Sequence, residues 1–258
     1  MPWDPATHFA DGVVAWSSGN SLSLSFLAFA DTISLSCRTL LQEYLRTIVV
    51  YDSPTRTTGA VYPPGVLPYS PFVDTTLTPK EAMEVFPRWN SGYYTHSPDV
   101  FASFSATSFE TLPGRAQILS GLVMTYTLDE QPEPTITRIP ANVLEDATDP
   151  ESTLRSRQPD PRIFLEVFRE CRRKALYDAE WAKSYFPNVK VEVVTFTKTL
   201  ADCVYAAWDI LHDLLEVRAQ RGPQDGERKV GFHVLEGVNH HAHWDYPERV
   251  LDLFSKII

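Results

Sequence analysis

Two short stretches near opposite ends of the chain carry residue types that can act on an electrophilic carbon. Near the front, Ala15-Trp16-Ser17-Ser18-Gly19 sets a serine between small residues. It directly follows the apolar run Gly12-Val13-Val14-Ala15-Trp16 and precedes a helical pattern of Leu22, Leu24, Phe26, Leu27 and Phe29. A tight strand-to-helix turn lifts a serine hydroxyl out at the carboxyl edge of a sheet. The helix N-terminus then places a backbone N–H beside a developing oxyanion. Ser17 is therefore the candidate nucleophile, and Ser18, next in the turn, belongs to the oxyanion side of the site. A serine in this place can also simply cap the helix.

Near the back, an apolar run over 229–235 leads into Glu236-Gly237-Val238-Asn239-His240-His241-Ala242-His243-Trp244-Asp245, and Pro247-Glu248 opens a last helix. A general base must reach the serine hydroxyl, so it belongs on a loop at the same sheet edge. His240 is the candidate base and His243 a neighbour that supports it. Three histidines could also ligate a metal, but no Cys, His or acidic motif elsewhere has ligand spacing. The reading is no metal and no cofactor.

The elements that must position these residues alternate as strand, helix, strand. Strands are expected at 12–16, at the β-branched run 47–51, at 189–196 and at 229–235. Helices are expected at 37–45, over the whole of 161–184, at 200–218 and at 246–258. This is an α/β pattern with a parallel sheet and helices on both faces. Residues 53–160 differ: they are rich in proline and aromatics, with short helices at 79–88 and 98–109 and an acidic, proline-rich loop over 129–160. They read as an irregular, partly helical cap inserted between two strands. The chain thus divides into 1–52 and 161–258 as core and 53–160 as cap.

With these motifs in place, the chain resembles the α/β-hydrolase family. Gly237, His240, Trp244, Pro247 and Glu248 match the stretch after that family's last strand, and Trp16-Ser17-Ser18-Gly19-Asn20 matches its serine turn. The resemblance implies a Ser-acid-His triad and cleavage of an ester, amide or related bond, and the aromatic, proline-rich cap suggests a small apolar molecule as the substrate. The family usually places its acid after the next-to-last strand. Here that strand runs into Phe196-Thr197-Lys198-Thr199, with no acid before Asp202. The other placement is one strand earlier, where Asp52 follows Val49-Val50-Tyr51, so Asp52 is preferred and Asp202 is the alternative.

In that family the serine follows the fifth strand of the sheet, whereas here its strand comes first. The expectation is a partial α/β-hydrolase-like sheet without the N-terminal strands, in which 12–16 forms an exposed edge available for self-association. One oxyanion donor, which comes from the loop after the family's third strand, would be missing. The alternative function is an inactive, N-terminally shortened hydrolase-like binding domain.

Composition sets the remaining bounds. A formal net charge of -10 over 258 residues disfavours nucleic acid and anionic membrane as partners. Three scattered cysteines indicate neither a disulfide framework nor a zinc ribbon. The first residues lack a basic n-region and an apolar core, so a cytoplasmic protein is expected.

Overall fold

The computed structural model describes residues 11–127, 132–147, 149, 161–222 and 224–258. Four strands, β1 (Asp11–Trp16), β2 (Leu45–Tyr51), β3 (Lys190–Phe196) and β4 (Val230–Leu235), form one parallel sheet in the order β1-β2-β3-β4. The registers align their carboxyl ends: Trp16 lies opposite Tyr51, Tyr51 opposite Val194, and Phe196 opposite Leu235. Whatever follows each strand therefore emerges at one edge of the sheet, where open α/β sheets hold their ligands.

The principal helices are α1 (Asn20–Ala28), α2 (Leu35–Tyr44), α3 (Pro79–Asn90), α4 (Pro161–Arg172), α5 (Ala179–Ser184), α6 (Ala201–Arg221) and α7 (Pro247–Ile257). They explain why β2 and β3 read as continuous apolar runs, since both faces of these strands are covered. Ile48, Val50, Val191 and Val193 pack with Leu24 and Leu27 of α1 and with Ala207 and Ile210 of α6. Val49, Tyr51, Val194 and Phe196 face the other way, onto Val250 and Ile257 of α7. β1 is an edge of the described sheet, and Val13 and Val14 are 47% and 40% exposed.

Two expected helices are interrupted. The stretch 161–184 breaks at a π turn over Arg173–Tyr177, because Asp178 is extended and its side chain caps α5 by accepting from Trp181 N at 3.0 Å. The stretch 98–109 is helical only over Pro98–Ala102 and then passes into short 3-10 turns. Ser103, Ser105 and Ser108 crowd this segment, and such side chains compete for backbone partners; Ser103 Oγ donates to Val100 O at 2.5 Å. Of the expected loop 129–160, Ala141–Ala147 is a helix, while 150–160 lies outside the described residues.

The insertion between β2 and β3 is tied to the core by close packing. Gly59 has a φ of +71°, and a Cβ there would come within 2.2 Å of the Arg169 backbone of α4. A second tie is electrostatic: Arg172 of α4 is buried and pairs with Asp209 and Asp213 of α6, while Arg115 of the insertion pairs with Asp209. Arg228, also buried, has no carboxylate among these partners. It donates instead to the carbonyls of Ala175, Tyr185, Phe186 and Val189, closing the turn that leads into β3, and burial lowers its pKa to about 10.

Candidate active site

β1 ends at Trp16, and Ser17 follows with a φ of +52° before the 3-10 turn Ser17–Gly19 enters α1. A left-handed serine is uncommon and costs backbone strain, as a sharp turn that presents a side chain does. Asp52 repeats the device after β2, with a φ of +47°. Crowding does not require the glycine of the serine turn, because Gly19 is helical and a Cβ there would meet nothing within 4 Å.

His240 joins the two turns. Its Nε2 lies 2.9 Å from Ser17 Oγ and its Nδ1 lies 2.6 Å from Asp52 Oδ2. With a carboxylate at Nδ1, that nitrogen carries the proton and Nε2 is left to accept from the serine hydroxyl. Both His240 and Asp52 are 1% exposed, so the pair is shielded from water.

His240 is held from two directions. Trp16 Nε1 donates to His240 O at 2.9 Å, and the two rings lie 5.1 Å apart. The insertion grips the rest of the loop: Asn239 Nδ2 donates to Ser91 O at 2.6 Å, and Asp245 accepts from Tyr93 Oη, Thr135 Oγ1 and Arg138 Nη2 at 2.5 to 2.7 Å. Gly237, with a φ of +72°, makes the turn out of β4. His241 Nε2 accepts from Asn90 Nδ2 at 3.2 Å, and burial, with His240 and His243 beside it, lowers its pKa to about 3, so it stays neutral. His243 packs edge-on against Trp16 with ring centroids 4.5 Å apart, and so buttresses the wall of the site rather than extending the hydrogen-bonded chain.

The two candidate acids separate clearly. Asp202, at the start of α6, accepts from Thr55 N at 3.1 Å, Thr55 Oγ1 at 2.6 Å and Tyr62 Oη at 3.2 Å. Burial raises its carboxyl pKa while these bonds oppose the rise, and its partners are in the insertion rather than at His240. In the loop after β3 stands Thr199, whose Oγ1 donates to Asp52 Oδ2 at 2.5 Å. Cys203 Sγ lies 3.8 Å from His240 Nδ1, its thiol pushed far up by burial and by the Asp52 and Asp202 charges. Asp52, Cys203 and His240 offer atoms within 4.8 Å of one another and so form a group able to hold a metal, but the carboxylate and imidazole are already paired with each other.

Trp16 and Asn20 stand in the serine-turn motif, and Asn239 and Asp245 in the histidine stretch, but their supporting roles, like that of Thr199, come from contacts that only the folded register supplies. The aromatic residues of the insertion are also largely spent on packing, with Trp89 and Tyr94 set against Leu200 and Cys203.

No family model and no curated protein matches the chain. Among solved structures, it is similar to the peroxisomal alpha-beta-hydrolase Lpx1 of Saccharomyces cerevisiae, with 10% identity and a TM-score of 0.28 over 94% of this chain and 50% of that one. It is also similar to E-2-(acetamidomethylene)succinate hydrolase, with 14% identity and a TM-score of 0.28 over 95% of this chain and 65% of that one. The chain thus spans half the length of the first and 65% of the second.

Proposed function

We propose that this chain is a serine hydrolase of the α/β-hydrolase type that cleaves an ester, amide or related bond of a small molecule. The observation that carries the reading is the unbroken chain Ser17 Oγ, His240 Nε2, His240 Nδ1, Asp52 Oδ2, with links of 2.9 and 2.6 Å. In acylation, Ser17 Oγ bonds to the carbonyl carbon as its proton passes to His240 Nε2. Asp52 holds the imidazole in the needed tautomer and stabilises the imidazolium. The tetrahedral oxyanion then collapses, the bond to the leaving group breaks, and His240 returns the proton to that group. Water repeats the cycle on the acyl-enzyme and releases the acid. The Ser18 N–H, at the start of the helical turn, is the proposed oxyanion donor.

Among the described residues no helix is long and apolar enough to cross a membrane. The natural test is a series of p-nitrophenyl esters of increasing acyl length. The expected result is a burst of p-nitrophenolate equal to the enzyme, followed by turnover that lengthening the acyl chain favours. In Ser17→Ala, turnover falls by about 10⁴- to 10⁶-fold. Folded protein that releases nothing above the buffer rate favours the inactive binding domain instead.

A further inference from the structure

Asn20 sits one turn after Ser17, at the start of α1, and is fully buried. Its Nδ2 donates twice, to Ser17 O at 2.9 Å and to Tyr51 O at 3.3 Å. The first carbonyl belongs to the left-handed serine. The second belongs to the residue immediately before left-handed Asp52. One amide group therefore spans β1 and β2 at the point where both chains turn sharply, and fixes how far the nucleophile turn stands from the acid turn.

The same side chain holds a cost that packing does not explain. Asn20 Oδ1 is buried and has no hydrogen-bond partner. A buried amide oxygen without a partner carries a desolvation cost that an apolar side chain of similar volume would not. Asn is also a weaker helix former than Leu. Local capping alone would not need an amide either. Ser21 Oγ and Ser23 Oγ, in the same first turns, each reach the carbonyl three residues back, at 2.9 and 3.1 Å. A serine could serve Ser17 O in that way, but it is too short to reach Tyr51 O as well.

We infer that Asn20 is a positioning residue of the proposed hydrolytic site, which ties the nucleophile turn to the acid turn through Ser17 O and Tyr51 O. It touches no substrate and acts through Ser17 and Asp52. The tie keeps Ser17 Oγ on the line from His240 Nε2 while Asp52 holds the other side of the ring. A misplacement near 1 Å in such a group costs about 10²-fold in rate. The inference rests on the proposed function of the site and adds a residue to it.

Fluorophosphonate inactivation of the full chain, resolved into KI and kinact, tests it in wild type, Asn20→Leu, Asn20→Ser and Asn20→Ala, alongside thermal unfolding. The expected result for Asn20→Leu is a kinact lower by about 10²-fold, with KI unchanged and a melting temperature close to wild type, because relief of the unsatisfied Oδ1 offsets the two carbonyl bonds lost. Asn20→Ser, which keeps the Ser17 bond alone, is expected to fall with it. Should Asn20→Leu fail to fold, Asn20→Ala supplies the same comparison at lower steric risk. A kinact at the wild-type level in Asn20→Leu or Asn20→Ala overturns the inference while leaving the site intact. Full recovery in Asn20→Ser also overturns it, by reducing Asn20 to a local cap. Loss of kinact and melting temperature in parallel overturns the positioning role in favour of a structural one. Wild-type protein that folds but does not label overturns the site and the inference together.

Discussion

Asp52→Asn is expected to lower the rate of Ser17 phosphonylation by about 10⁴-fold, the usual cost of leaving a triad histidine in the wrong tautomer. The amide can present an N–H to His240 Nδ1, which then accepts and leaves the proton on Nε2, facing Ser17. Asp202→Asn is expected to leave the rate close to wild type, because Asp202 is committed to Thr55 and Tyr62 rather than to His240. Its effect appears in stability, through weaker anchoring of the insertion. Reading both variants in one labelling assay separates the acid from a buried structural carboxylate. Equal losses in the two would overturn the assignment, and a larger one in Asp202→Asn would reverse it.

Arg172→Met is expected to destabilise the fold by about 3 to 5 kcal/mol, the range found when one partner of a buried ion pair is removed. Arg172 is 2% exposed and binds Asp209 at 2.8 Å, together with Asp213, from α4 to α6. Without it, Asp209 remains buried with Arg115 at 3.3 Å as its remaining ion-pair partner, and burial already raises the Asp209 carboxyl against the pull of Arg172. For a chain of this length each kcal/mol moves the melting temperature by about 2 to 4 °C, so a fall of about 10 °C is expected in calorimetry. Replacing Arg172 and Asp209 together by apolar residues of similar volume should recover most of the loss, since the burdensome charge goes with its partner. A melting temperature within about 2 °C of wild type in Arg172→Met would show that the pair does not fasten α4 to α6.

What could be read from the sequence follows from where its signals are local. The strands were legible because their apolar runs end in turn residues, Asp52-Ser53-Pro54 after Thr47–Tyr51 and Glu236-Gly237 after β4, and the two central strands are buried on both faces. As candidates, Ser17 stood out because it directly follows one such run, and His240 because it lies in the loop after another. The preference for Asp52 over Asp202 came from the same rule of place, and it is Asp52 that His240 meets.

The rest depends on partners far apart in the chain. Asn20 matters through Tyr51, Asp245 through Tyr93, Thr135 and Arg138, and Arg172 through a helix more than thirty residues further on. Arg228 is similar, since a buried cation satisfied by four backbone carbonyls leaves no pattern in the sequence around it. The breaks in 98–109 and 161–184 had local causes, the serines and Asp178, which the hydrophobic periodicity of those stretches concealed.

The most direct measurement is fluorophosphonate labelling of the purified chain, mapped by mass spectrometry, in wild type and His240→Ala. The hydrolase reading predicts a single adduct on Ser17 that His240→Ala removes, because without the imidazole nothing takes the hydroxyl proton. Folded wild-type protein that carries no adduct, or an adduct on Ser17 that forms as fast without His240, would contradict it.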